Sequence, residues 1–178
     1  MPAFTVIDHT ELGASASSWD VTSIPSSYDH LMLKVSARTD ATATYGGQVN
    51  LTFNGDTGTN YSGTLLWAYQ SPPQSTRASG ATSMYYSYVT GASQAANTFG
   101  SATYWIPNYS NTANYKQVLW HTVAENASTA SNEYRVSMTA GLYKENTDAI
   151  DEMKMIGYTG STDIAEFSTF TLYGVKGA

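Results

Sequence analysis

Apolar and polar side chains alternate with a period of two along much of the chain. Over residues 30–38, Leu31, Leu33, Val35 and Ala37 share one face, and His30, Lys34, Ser36 and Arg38 take the other. Over 48–54, Val49, Leu51 and Phe53 alternate with Asn50, Thr52 and Asn54. Over 133–142, Tyr134, Val136, Met138, Ala140 and Leu142 alternate with Glu133, Arg135, Ser137 and Thr139. Successive residues of a strand point to opposite faces, so each run predicts a strand with its apolar set in a core and its polar set toward water. Shorter runs predict strands near 4–8, 18–24, 63–69, 82–89, 103–106, 117–123, 150–157 and 167–175. Turn-forming clusters separate them, among them 54–58, 71–73, 91–97, 108–114 and 125–132. This pattern predicts an all-β fold, an antiparallel β-sandwich, jelly-roll-like, of about ten to eleven strands. No linker-like shift divides the chain, so residues 1–178 read as one β-sandwich domain.

Several positions carry more specific expectations. Asn54-Gly55 supplies the positive φ values of a hairpin turn. Proline cannot donate into a ladder, so Ile106-Pro107-Asn108 ends a strand. Phe170, Leu172 and Gly174 share a face of a last strand expected inside a sheet, with Gly174 admitting a close neighbour. Tyr28, after Pro25, is placed to stitch a turn to the next strand through its hydroxyl.

Composition narrows the classes of function. Only 12% of the residues are charged and the formal net charge is -6, against a globular norm of roughly 25% charged. Ser and Thr fill the gap, at roughly a quarter of the chain. The acidic balance argues against nucleic acid as a partner, because phosphate binding needs clustered Lys and Arg. Without cysteine there is no disulfide, thiol chemistry or Cys-ligated zinc. No apolar run is long enough for a membrane span. The start, Met1-Pro2-Ala3-Phe4-Thr5, lacks the regions of a signal peptide, and the expectation is of a complete chain made in the cytoplasm.

Catalytic and metal chemistry find little support. His9, His30 and His121 show no metal spacing. On a strand, Asp8 and His9 point to opposite faces, and His121 sits in a half-buried strand where a hydrogen-bonded histidine is expected. There is no Gly-x-Ser-x-Gly elbow and no phosphate-binding Gly-rich loop. A hydrolase would need opposed carboxyl groups, with Asp20 and Asp29, or Glu145 with Asp148, Asp151 and Glu152, as candidates. The loop Asn54 to Asn60 is rich in oxygen ligands but has one carboxylate, Asp56; a calcium site there stays open beside a plain turn. The Asn-x-Ser/Thr triplets at Asn50, Asn60, Asn108 and Asn126 read as polar turn and strand chemistry. The expectation is a protein with no enzymatic activity, no cofactor and no resident metal.

The aromatic residues are more suggestive. Trp67 and Tyr69 precede Ser71-Pro72-Pro73, and Met84-Tyr85-Tyr86-Ser87-Tyr88 follows. Regular alternation would put Met84, Tyr86 and Tyr88 on one face and Tyr85 and Val89 on the other. A strand apolar on both faces lies between layers or meets a partner. Tyr gives contact area with a polar tip, which suits a protein interface and equally suits stacking on sugar rings. Trp67, Tyr69, Met84, Tyr85, Tyr86 and Tyr88 are therefore the candidate interface or glycan-stacking residues.

Several phrases, in order, carry a resemblance. They are Ile24-Pro25-Ser26-Ser27-Tyr28-Asp29-His30-Leu31-Met32-Leu33 with Ser36-Ala37-Arg38; Leu51-Thr52-Phe53-Asn54-Gly55-Asp56 with Asn60-Tyr61-Ser62; and Ile106-Pro107-Asn108-Tyr109 with Lys116. Glu125-Asn126, Thr139-Ala140-Gly141-Leu142-Tyr143, Asn146-Thr147-Asp148-Ala149-Ile150 and Leu172-Tyr173-Gly174-Val175 follow. Together they resemble a family of bacteriophage exterior virion proteins, common in phages of aquatic bacteria. The resemblance implies a β-sandwich or jelly-roll module used as a head decoration or as the head of a tail fibre or spike. It implies no catalytic residues. Asp151-Glu152-Met153-Lys154-Met155 departs from the family by bringing charge where an apolar pattern is usual, which questions the exposure of that strand.

From the resemblance and the composition together, the expected role is a non-enzymatic virion structural protein, most simply a capsid decoration, cement or knob protein. Its partners would be a major capsid or tail protein and further copies of itself, as a homotrimer. The alternative is a tail-fibre or spike module that recognises host surface carbohydrate.

Overall fold

A computed structural model of the chain describes residues 4–42, 47–69, 72–125, 135–145, 148–158 and 162–177. The strands are β1 (Phe4–Glu11), β2 (Ser18–Val21), β3 (His30–Ala37), β4 (Gly47–Phe53), β5 (Tyr61–Ala68), β6 (Gln74–Ala81), β7 (Met84–Val89), β8 (Gly100–Pro107), β9 (Lys116–Ala124), β10 (Arg135–Tyr143), β11 (Met153–Gly157) and β12 (Thr169–Val175). They form an eight-stranded sheet in the order β1-β12-β3-β8-β9-β10-β5-β6 and a four-stranded sheet in the order β2-β11-β4-β7. The fold is an all-β sandwich with antiparallel pairing throughout the named strands. Every connection crosses between the sheets except the hairpins β5–β6, β8–β9 and β9–β10, which gives jelly-roll-like winding with β9–β10 widening the large sheet.

Burial explains most of the arrangement. Leu31, Leu33, Val35 and Ala37 of β3 and Val49, Leu51 and Phe53 of β4 all face the core, as their alternation requires. Trp19 of the small sheet stacks on Phe170 of the large one, with ring centroids 4.9 Å apart. Tyr61 and Tyr143 stack at 4.9 Å against Phe53. Tyr104 donates a 2.6 Å hydrogen bond to Ser87 Oγ, so its buried hydroxyl is paired. β12 lies between β1 and β3, and the ring of Tyr28 covers Gly174 so closely that a Cβ there would meet it at 2.4 Å. The hydroxyl stitch expected of Tyr28 is made instead by Tyr109, which donates to the Pro25 carbonyl.

Four differences from the sequence reading have physical causes. Strand β6 was not expected, because Gln74–Ala81 is polar and lies at a sheet edge with no core face to impose alternation. Asn54 and Gly55 do adopt positive φ, 52° and 64°, and Asp56 N donates to Phe53 O, but this turn begins a crossover between sheets instead of a hairpin. The charged segment leads into a central strand: Met153 and Met155 are buried, Lys154 points outward, and Asp151 and Glu152 lie before the strand. In β10 the expected faces are reversed. Arg135, Ser137, Thr139 and Tyr143 are buried, while Val136, Met138 and Ala140 are exposed.

Candidate functional site

The reversal of β10 exposes apolar side chains across several strands. Antiparallel register aligns Leu66 of β5 with Met138 of β10, and Met138 with His121 of β9. Val123 pairs with Val136, Val136 with Ala68, and Leu119 with Ala140. Leu66, Leu119, Val123, Val136 and Met138 are each between 43% and 54% exposed. Leu66, Pro73, His121, Val136 and Met138 line a shallow hollow of about 300 Å³. The rows continue to Trp105 of β8 through its pairing with Leu119. Lys34 on β3 and Arg77 on β6 stand at the margins of these rows, paired with Thr103 and Thr64. Among the described residues the paired rows carry no carboxylate, and Glu125 follows two residues beyond Val123 at their end.

The inner face of β10 explains why the strand sits this way round. Trp120 occupies a space over Gly141 and Gly63, which face each other across β10 and β5. A Cβ on Gly141 would lie 2.4 Å from the Trp120 ring. Thr122 and Ser137 share a 2.6 Å hydrogen bond in the core. Arg135 places its guanidinium 3.9 Å from the Tyr88 ring centroid and 5.0 Å from that of Tyr69. A cation held between two aromatic faces tolerates burial that a bare one would not.

The six aromatic-strand candidates do not form one platform. Met84 is 1% exposed and belongs to the core. It does not share a face with Tyr86 and Tyr88: Leu51 pairs with Met84 and Val49 with Ser87, so β7 carries a bulge. Beyond the bulge the alternation is out of step, and Met84, Ser87 and Val89 point inward. Tyr85 and Tyr86 lie side by side, ring centroids 4.0 Å apart. Burial, and then the hydrogen bond with Tyr86, hold the Tyr85 hydroxyl protonated well above the ordinary tyrosine range. Tyr69 and Tyr88 cover Arg135, and Trp67 borders the apolar hollow. Sequence reasoning sought the exposed apolar surface at β7 and missed it on β9 and β10. The signal was present in Val118-Leu119-Trp120, apolar on both faces.

The remaining candidates have local partners. His9 shares a 2.9 Å hydrogen bond with Thr171, and His30 Nδ1 accepts from Asn108 N at 3.2 Å. His121 is fully on the outer, exposed face of β9 and not half-buried. Asp20 lies on the small sheet, whereas Asp29 precedes β3 of the large one and accepts from Gly177 N at 2.6 Å. Asp56 is engaged by Gly58 N at 2.7 Å and by Asn60 Nδ2 at 2.9 Å. Among the described residues no group of three or more His, Asp or Glu is placed to hold a metal ion. Among them, too, no helix is long and apolar enough to cross a membrane. Asn126 lies outside the described residues.

No family model and no curated protein matches the sequence. Among solved structures, a structure of alginate lyase Aly36B is similar over 89% of this chain and 79% of that chain, with 10% identity and a TM-score of 0.22. A likeness that small fixes neither fold nor activity.

Proposed function

We propose that the chain is a non-enzymatic structural protein of a bacteriophage particle exterior, a capsid decoration or knob protein, which self-associates through the outer face of β5, β10 and β9. The observation that supports self-association is the orientation of β10, which turns Val136 and Met138 to solvent and buries Arg135, Ser137 and Thr139. Exposed contiguous apolar patches on soluble proteins mark interaction surfaces. A second copy suits this face, because a protein of net charge -6 approaches itself most easily across paired rows that carry no carboxylate among the described residues. The homotrimer is the expected assembly. The virion setting rests on the ordered phrases quoted above, several of which hold structural positions: Pro107 ends β8, Asn54 forms a turn, and Gly174 admits Tyr28.

A cryo-electron microscopy map of the phage particle tests the setting. Density for this chain on the shell, with β9 and β10 at a contact between copies, is the expected result. Its absence from the particle, or its presence with that face open to solvent, would sink the reading. Density at the tail would favour the receptor-binding alternative.

A further inference from the structure

Between β6, at the edge of the large sheet, and the outer side of the small sheet lies a second feature that self-association does not use. Where β6 turns into β7, residues 79–83 border an open cleft of about 660 Å³. That volume falls in the roughly 300–1,000 Å³ range of small-molecule sites. Its floor includes Asn50 of β4, and its walls include Tyr85, Tyr158, Ser79, Thr82 and Ser83. The bulge in β7 sets Tyr85 and Tyr86 together opposite Asn50, the residue skipped in the pairing. Tyr86 holds this geometry at a φ of 77°, a left-handed value that an aromatic residue rarely adopts.

Asn50 is 8% exposed, and its Oδ1 has no hydrogen-bond partner. Gln48, two residues earlier on the same face of β4, has its buried Nε2 in the same condition. Buried polar groups are nearly always paired, so the open acceptor of Asn50, which lines the cleft, points to a ligand that pairs it. The side chains lining the cleft are one amide, three hydroxyls, the Ala81 methyl and two tyrosine rings, none of them charged. An anion would find no counter-charge there. A purely apolar ligand would leave Asn50 unpaired and desolvate the hydroxyls at a cost. A pyranose presents hydroxyls around its rim and C–H groups on its face, and so matches the Asn50 amide, the hydroxyls and the rings.

We propose that this cleft binds a neutral saccharide, with Asn50 Oδ1 accepting from a sugar hydroxyl and the rings of Tyr85 and Tyr158 against the sugar face. The site lies between the edge strand β6 of the large sheet and the small sheet, and shares no lining residue with the hollow on the face assigned to self-association, so either can fail without the other.

The test is saturation-transfer NMR on the whole chain with neutral cello-, xylo-, manno-, malto- and laminari-hexaose, and with hexagalacturonate as the anionic counter-probe. At least one neutral oligomer binds at millimolar concentration and hexagalacturonate does not. Tyr85→Ala weakens binding about tenfold or more, while Tyr85→Phe, which keeps the ring, stays within about twofold. Asn50→Ala loses binding with an unchanged β circular dichroism spectrum, and the oligomer that raises the Tm of the wild type leaves the Tm of Asn50→Ala where it was. Met138→Asp leaves binding unchanged. The proposal is overturned if no neutral oligomer binds, if hexagalacturonate binds more strongly, or if Tyr85→Ala and Asn50→Ala bind like the wild type.

Discussion

Gly141→Ala tests the orientation of β10, on which the apolar outer face depends. Gly141 points inward beneath Trp120, and an added Cβ would lie 2.4 Å and 2.9 Å from Trp120 ring atoms and 2.7 Å from Met84 Sδ. Trp120 is 1% exposed and stacks against Tyr104 at 5.9 Å, so it has little room to withdraw. Overpacking of this kind costs about 1–3 kcal/mol. Restricting the unfolded chain returns about 0.4–1 kcal/mol. The net loss is then up to about 2.6 kcal/mol and about 1.3 kcal/mol at mid-range, and at roughly 2–4 °C per kcal/mol the mid-range fall in Tm is about 3–5 °C. Gly63, directly across the ladder, provides the control. A Cβ there would make ordinary contacts of 3.6–3.7 Å with Thr139, Ala140 and Trp120. Gly63→Ala is therefore neutral or stabilising by up to about 1 kcal/mol. Calorimetry or denaturant titration of the two variants reads the difference. If Gly141→Ala is as well tolerated as Gly63→Ala, the inward position of Gly141 is wrong, and the outward position of Val136 and Met138 falls with it.

Three further outcomes follow from single side chains. Arg38 donates to the carbonyls of Ala92, Gln94, Ala95 and Thr98, at 2.8–3.3 Å, and so pins the connection from β7 to β8. Arg38→Ala should cost about 2 kcal/mol and speed hydrogen exchange selectively in residues 91–98. Asn54 combines a φ of 52° with a bond to Ala149 O and bonds from Asp151 N and Glu152 N. Asn54→Ala should cost about 2–4 kcal/mol in denaturant titration, and Asn54→Gly, which restores only the backbone freedom, should recover part of it. Burial raises the hydroxyl pKa of Tyr104 and of Tyr61, partly opposed by the bonds to Ser87 and to the Phe53 backbone, with Asp56 adding to the rise at Tyr61. Their contribution to stability is complete below pH ~10 and lost above it, because only the unfolded chain releases those protons. The slope is about 1.4 kcal/mol per pH unit for each tyrosine. Denaturation midpoints should fall steeply between about pH 10 and 11, less so for Tyr104→Phe, with tyrosinate absorbance from these residues appearing only on unfolding.

The sequence disclosed the strands wherever one face is core and the other is water. The faces of β3 and β4 follow directly from their apolar residues, and Gly174 was recognisable as a point of close approach because a central strand rarely tolerates glycine otherwise. In β10 the same rule pointed the wrong way. What fixes its orientation is the fit of Trp120 over Gly141 and the stacking of Arg135 on Tyr69 and Tyr88, contacts between strands distant in sequence. Under the proposed self-association, the outer face of β10 meets a partner, and the strand then has no reason to place its more apolar set inward. The bulge at Tyr86 was invisible for a similar reason. A tyrosine gives no sequence signal for positive φ, so regular alternation was extended through it and joined Met84 to Tyr88. Of the candidate cleft, only Tyr85 had been singled out. Asn50 drew notice as an Asn-x-Thr triplet, and its open Oδ1 is a property of the folded sheet.

The most direct test of the central claim is the mass in solution of the wild-type chain and of Met138→Asp, measured by light scattering beside their circular dichroism. The account predicts an oligomer for the wild type, with three chains expected, and a monomer with an unchanged β spectrum for Met138→Asp. A wild type that stays monomeric at high concentration, or a Met138→Asp variant that unfolds because that side chain belongs to a core, would contradict it.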